Sequence, residues 1–134
     1  MGSFRPPKVV LANGVFDIFH IGHLRYLEEA ARMGDALIVS VTRNAFVNKG
    51  PGLPLYDELE RLSVVRSVRC VKQAILTDSA LQALQKVRPA VFVKGREYMG
   101  RILPEHENYC REHGIEIRFT DTETRRPRDR LRQG

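Results

Sequence analysis

The stretch KVVLANGVFDIFHIGH, residues 8–23, decides the fold because its pattern changes period halfway along. Residues 8–13 form a short apolar, β-branched run of the kind a buried strand requires. Beyond it, Leu24, Leu27 and Ala31 recur at helical spacing until Gly34 supplies a stop. A strand that passes directly into an amphipathic helix is half of a βαβ unit, and the alternation continues downstream.

ALIVSV (36–41) reads as the second strand, followed by the Gly/Pro-rich loop NKGPGLP (48–54). Asp57 and Glu60 have the spacing of a capping box for a helix whose Leu59, Leu62 and Val65 face inward. VKQAIL (71–76) is a third strand, and Thr77, Asp78 and Ser79 offer an N-cap to a helix carrying Leu81, Leu84 and Val87, closed by Pro89. AVFV (90–93) is a fourth strand. Pro104 opens a helix that ends at His113-Gly114, and IEIRF (115–119) alternates as a half-exposed last strand. Five strands taking turns with helices imply an α/β domain: a doubly wound, mostly parallel five-stranded sheet with right-handed crossovers. The domain is expected over residues 8–124, between an N-terminal stretch (1–7) that is disordered or left from expression and a basic tail (125–134).

A chain of 134 residues suits one domain with a sizeable core. No apolar run approaches the roughly 18 to 20 residues of a membrane span, and no secretory pattern opens the chain, so a soluble cytoplasmic protein is expected. Cys70 and Cys110 are the only cysteines, too few for a disulfide framework or a four-cysteine zinc site, and are expected to be reduced and structural. The formal net charge is +6, of which residues 125–134 supply +4 through five arginines against Asp129. Such a block reads first as a solvated terminus and second as a nucleic-acid contact.

In doubly wound sheets, ligands bind beyond the carboxyl ends of the strands where the strand order reverses. NGVFDIFHIGH (13–23) enters the first helix there, so backbone N–H groups and the positive helix end converge on an anion. Gly14 and Gly22 are expected to admit close backbone approach of a ligand. His20 and His23 fall on one side of the first turn, each able to donate to a phosphate oxygen. Two other readings compete: half of a metal site, which lacks companions because His106 and His113 lie far along the chain, or structural histidines with satisfied hydrogen bonds.

These residues resemble a known signature. GVFDIFHIGH (14–23) matches every fixed position of the pattern Gly-x-Phe-Asp-x-x-His-x-Gly-His of the cytidylyltransferase-like nucleotidyltransferases. The likeness continues through LRYLEEAARMGDALIVSVT (24–42), through NKG (48–50) with DELER (57–61), and through VFVKGREY (91–98). That last segment is similar to Val-Lys-Gly-Gly-Asp-Tyr of the adenylyltransferase domains acting on heptose 1-phosphate. Glycerol-3-phosphate and ethanolamine-phosphate cytidylyltransferases and archaeal-type FAD synthetases are more distant relatives of the pattern.

The resemblance implies transfer of a nucleoside monophosphate, AMP from ATP ahead of CMP from CTP, onto a phosphorylated acceptor such as a sugar 1-phosphate, with release of pyrophosphate. It implies catalytic roles for His20, His23 and Lys49. It implies nucleotide contacts from Asn13, Gly14, Val15, Phe16, His20, Gly22, His23, Lys94, Gly95, Arg96, Glu97, Thr122 and Thr124, with Tyr98 nearby. Asp17, Lys49 and Arg61 are assigned to the acceptor. Mg²⁺ is expected to travel with the nucleotide, no protein metal ligands are assigned, and a homodimer is expected with no membrane partner.

Three positions depart from the pattern. Pro51 stands where glycerol-3-phosphate cytidylyltransferases carry a second lysine, which counts against that acceptor. Glu97 stands in place of Asp. The closing Ser/Thr-rich stretch is replaced by FTDTET (119–124) and then RRPRDRLRQG (125–134), so Thr122, Thr124 and arginines must stand in for it. A nucleotide-binding module without turnover is therefore a competing expectation.

Overall fold

The computed structural model describes residues 5–124. Five strands, β1 (Val9–Gly14), β2 (Ala36–Thr42), β3 (Gln73–Thr77), β4 (Val91–Lys94) and β5 (Glu116–Phe119), alternate with four helices, α1 (Ile21–Ala31), α2 (Glu58–Arg66), α3 (Ala80–Val87) and α4 (Pro104–Glu112). The sheet order is β3-β2-β1-β4-β5 and every pairing is parallel. The chain steps outward from β1 to β3, then returns to place β4 on the other side of β1, so the order reverses at β1.

Period-two alternation builds two cores. Val10, Ala12, Leu37, Val39, Val41, Val91 and Val93 point to one face, where Tyr26, Leu27 and Ala30 of α1 and Leu62 and Val65 of α2 cover them. Leu11 and Phe92 point to the other, under Ala83 and Leu84 of α3 and Cys110 of α4. Strands buried on both faces are nearly continuous apolar runs, which is how parallel sheets read in sequence.

The helix ends follow the expected chemistry with two corrections. Ser79 caps α3 through the Gln82 N–H (3.0 Å), and Pro104 is in the first turn of α4. Asp57 caps α2 alone, accepting from Leu59 N–H (3.3 Å); Glu60 closes no reciprocal bond. Leu59 does not face inward. It is 61% exposed, and the buried positions of α2 are Arg61, Leu62 and Val65.

Gly34 also does a different job from the one its place after a helix indicates. A Cβ there would lie 2.6 Å from the Lys8 carbonyl oxygen and from Val10 Cγ2, so the residue clears the approach of the α1–β2 turn to β1. Gly34→Ala is expected to lower stability by about 1 to 3 kcal/mol, because a backbone atom cannot step aside. Urea unfolding checks this: the midpoint falls while the slope is unchanged.

Candidate functional site

The carboxyl ends of β1, β2 and β4, with the entrance of α1, enclose a cleft of about 720 Å³. Its floor starts at Asn13, whose side-chain N–H group donates to Ser40 on the neighbouring strand. Phe16 then takes a left-handed backbone conformation (φ 53°), uncommon for a bulky residue and worth about 1 kcal/mol or more of strain. This conformation turns the ring back under the chain, where it is 4% exposed and meets His23 edge-on at 5.3 Å.

Gly14 is required by that ring. A Cβ on Gly14 would sit 2.9 Å from Phe16 Cζ, and one on Gly22 would sit 2.8 Å from His20 Cε1. Both glycines therefore clear space for the protein's own rings.

His20 is the N-cap of α1 and His23 is its third residue, and each caps the other. His20 Nδ1 accepts the Gly22 N–H (3.0 Å), while His23 Nδ1 accepts the His20 N–H (3.3 Å). This is the reciprocal geometry of a capping box with imidazoles in place of hydroxyl and carboxylate. It fixes the tautomer: with Nδ1 accepting, the proton of each neutral ring is on Nε2. The ring centroids are 4.0 Å apart. Burial, then the neighbouring His20, then Lys49, push His23 down to about 4. At neutral pH His23 is thus an uncharged Nε2–H donor at the end of a helix whose dipole already favours an anion.

The sign of the pH effect follows. An unfolded imidazole takes a proton near 6.5, whereas folded His23 refuses one until about pH 4. Its contribution to stability is complete above pH 6.5 and is lost as the pH falls through 4. An NMR titration should place the His23 midpoint near 4 in the free protein. The midpoint should rise when a triphosphate is added, because an anion favours the protonated ring.

The same cleft is lined by Lys49, from the 48–54 loop, by Lys94 at the end of β4, and by Glu97, Tyr98 and Arg101 from the β4–α4 connection. Lys94 extends over the Tyr98 ring, its Nζ 4.2 Å from the centroid, and burial lowers its pKa. Asp17 lines the cleft but both its oxygens are engaged, by Leu55 N–H (2.7 Å) and Tyr56 N–H (2.9 Å), so it anchors the loop that carries Lys49.

Of the residues expected at the site, Asn13, Gly14, Val15, Phe16, Asp17, His20, His23, Lys49, Lys94, Gly95, Glu97 and Thr124 line the cleft. Four do not. Gly22 is beneath the His20 ring. Arg61 is 1% exposed and donates to the carbonyls of Val15 (2.7 Å) and Tyr56 (2.9 Å) and to Asn44 Oδ1 (2.8 Å). It holds the walls together, with its guanidinium turned to the protein and not to an acceptor or to Glu58 or Glu60. Arg96 lines a separate shallow depression with Met99 and Arg118. Thr122 is tied down through its backbone, its N–H donating to Glu29 (3.1 Å) and its carbonyl accepting from the Thr120 hydroxyl (2.6 Å).

Tyr26 and Arg101 line the cleft without having been picked out from the sequence. The Tyr26 hydroxyl donates to the Val93 carbonyl (2.6 Å), tying α1 to β4. Its position on the buried stripe of α1 was the available signal; a lone loop arginine such as Arg101 gives none. The basic tail, residues 125–134, lies outside the described residues.

The chain belongs to the cytidylyltransferase-like family, whose model matches residues 11–122. Among curated proteins it is similar to the bifunctional protein HldE of Geobacter metallireducens, 37% identical over 98 residues, which covers 70% of this chain and 20% of that protein. HldE of Azotobacter vinelandii is 40% identical over 115 residues, covering 83% of this chain and 24% of the relative. The chain thus spans between a fifth and a quarter of the length of these relatives. Among solved structures it resembles the lipopolysaccharide core biosynthesis protein of Thermoplasma volcanium, with 30% identity and a TM-score of 0.73, covering 87% of this chain and 98% of that one. Pantothenate synthetase of Thermus thermophilus, 15% identical with a TM-score of 0.56 over 84% of this chain and 54% of that one, shares the fold.

Proposed function

We propose that the protein is a nucleotidyltransferase that moves AMP from ATP to a sugar 1-phosphate. An acceptor phosphate oxygen attacks the α-phosphorus, the bond from that phosphorus to the bridging oxygen breaks, and pyrophosphate leaves with the electron pair. Such chemistry asks for positioning and for donors aimed at the oxygens where charge collects. The reading is carried by the reciprocal His20–His23 cap, which turns two imidazoles into oriented Nε2–H donors at a helix N-terminus beside a cleft. Lys49, Lys94 and Arg101 line the same cleft and supply positive charge for a triphosphate and a second phosphorylated substrate.

Mg²⁺ belongs to this scheme as part of the nucleotide substrate. Among the described residues no group of three or more His, Cys, Asp or Glu is arranged to hold a metal, and the Asp17 oxygens are occupied by backbone amides. The preference for ATP and for a sugar phosphate rests on the likeness of VFVKGREY (91–98) to the heptose-phosphate adenylyltransferase segment.

The test is pyrophosphate release from each of the four nucleoside triphosphates with Mg²⁺ and a panel of sugar and alcohol phosphates. Turnover highest with ATP and a sugar 1-phosphate is expected; no release with any pair would overturn the proposal. One observation favours a second reading, nucleotide binding without turnover: Thr122, needed to replace the family's closing hydroxyls, is not among the residues that line the cleft. Calorimetry showing micromolar ATP binding in a protein that releases no pyrophosphate would establish it.

A further inference from the structure

The cleft is lined by two carboxylates, Asp17 and Glu97, and by three basic side chains, Lys49, Lys94 and Arg101. Both carboxylates are engaged within the protein. Asp17 accepts the N–H groups of Leu55 and Tyr56. Glu97 Oε2 accepts the N–H (2.8 Å) and the hydroxyl of Thr124, and its Oε1 lies over Gly95, where a Cβ would come within 2.1 Å of it. Two of the basic groups also have an assigned neighbour. Lys94 rests on the Tyr98 ring, and Lys49 acts on the histidines: its charge is one of the causes that push His23 down, and that of Arg101 is not. Arg101 alone of the five is exposed with no side-chain hydrogen bond, ion pair or ring contact among the described residues.

Its place is nevertheless built. Tyr98-Met99-Gly100-Arg101 is a type II turn, with Met99 at φ −59°, ψ 126°, Gly100 at φ 75°, and the Arg101 N–H donating to the Tyr98 carbonyl (2.9 Å). The third position of that turn demands glycine, so Gly100 fixes the arginine backbone just after the ring that lines the cleft beside Lys94. A guanidinium held there, with both carboxylates of the cleft occupied elsewhere, suits an anion that presents two oxygens side by side, as a phosphate monoester does.

The transfer reaction brings two phosphorylated species to one cleft, and the imidazole donors and Lys49 serve the triphosphate. The arginine that the sequence pattern assigns to the acceptor, Arg61, is 1% exposed and bound to three oxygens of the protein itself. The acceptor phosphate therefore needs another fork. Resting on the nucleotidyltransferase reading, we propose that Arg101 binds the phosphate of the acceptor and so selects a phosphorylated acceptor over its unphosphorylated form.

Calorimetry with Mg²⁺ measures ATP against the wild type, Arg101→Ala and Arg101→Lys. Glucose 1-phosphate, inorganic phosphate and glucose are then titrated into each protein saturated with α,β-methylene-ATP, which cannot transfer its nucleotidyl group. Thermal unfolding confirms that the variants are folded. Arg101→Ala is expected to weaken glucose 1-phosphate and inorganic phosphate roughly 10- to 100-fold, the scale of losing hydrogen bonds to a charged group, while ATP affinity stays within about twofold. Arg101→Lys falls between, since it keeps the charge and loses the fork. In turnover the acceptor KM rises and kcat holds. The proposal is overturned if ATP weakens as much as the acceptor, which makes Arg101 a triphosphate contact, or if no ligand distinguishes Arg101→Ala from wild type, which makes it a solvated loop residue. Wild-type protein that binds glucose 1-phosphate no more tightly than glucose overturns it too. Arg101-dependent binding of glucose 1-phosphate in a protein that releases no pyrophosphate with any substrate pair overturns the nucleotidyltransferase reading and leaves the phosphate site standing.

Discussion

Replacing His23 with alanine is expected to lower turnover about 10²-fold or more, the scale of losing one oriented donor to developing oxyanion charge. The companion variant decides why. In the structure both histidines cap α1, so a rate loss could come from a frayed helix entrance instead of a missing donor. His20→Asn resolves this, because asparagine is among the best N-caps and its side-chain oxygen can take the N–H that His20 Nδ1 accepts. The melting temperature should then stay within a few degrees while turnover still falls at least about tenfold, the loss of one charge-assisted contact at a phosphate. His20→Asn with wild-type turnover would reduce that ring to a cap. Steady-state kinetics and thermal unfolding on the same preparations check both variants.

Arg61→Ala is expected to be the most destabilising single change in the protein, by about 3 kcal/mol or more, since removing a buried charged donor leaves its acceptors unpaired. Three segments lose their tie at once: the Val15 carbonyl before the Phe16 turn, the Tyr56 carbonyl beside the loop anchored by Asp17, and Asn44 after β2. Lysine should not rescue it. A single ammonium cannot reproduce a planar fork that reaches three acceptors in different directions. Urea unfolding gives the stability loss. If Arg61 instead touched an acceptor phosphate, Arg61→Lys would leave stability intact and raise only the acceptor KM.

The order of elements was legible because the signals that set it are local. Apolar runs flanked by caps and breakers give β1 to β5 and α1 to α4 within a residue or two, and the alternation dictates a parallel sheet with its ligand side at the strand carboxyl ends. The family signature, GVFDIFHIGH at 14–23, was equally plain, and the model match over residues 11–122 agrees with it. Leu59 and Arg61 mark where local pattern misleads. Helical spacing assigns an apolar residue to the core and an arginine to solvent, yet Leu59 is exposed and Arg61 buried, because the oxygens of Val15, Asn44 and Tyr56 converge on the guanidinium and satisfy its donors.

The sequence by itself determined the alternation of strand and helix and the side of the sheet on which the cleft lies, since both follow from periodicity, capping and strand order, while most of the lining residues were implied by the resemblance of GVFDIFHIGH and VFVKGREY to the family pattern. Only the tertiary structure decided what those residues do. That two histidines serve as each other's cap, that Gly14, Gly22 and Gly95 make room for a neighbour's ring or carboxylate, and that Asp17 and Arg61 brace the walls, all depend on which groups the fold brings together. A hydrogen bond needs its two atoms about 3 Å apart in a fixed direction. No spacing along the chain specifies that for residues tens of positions apart.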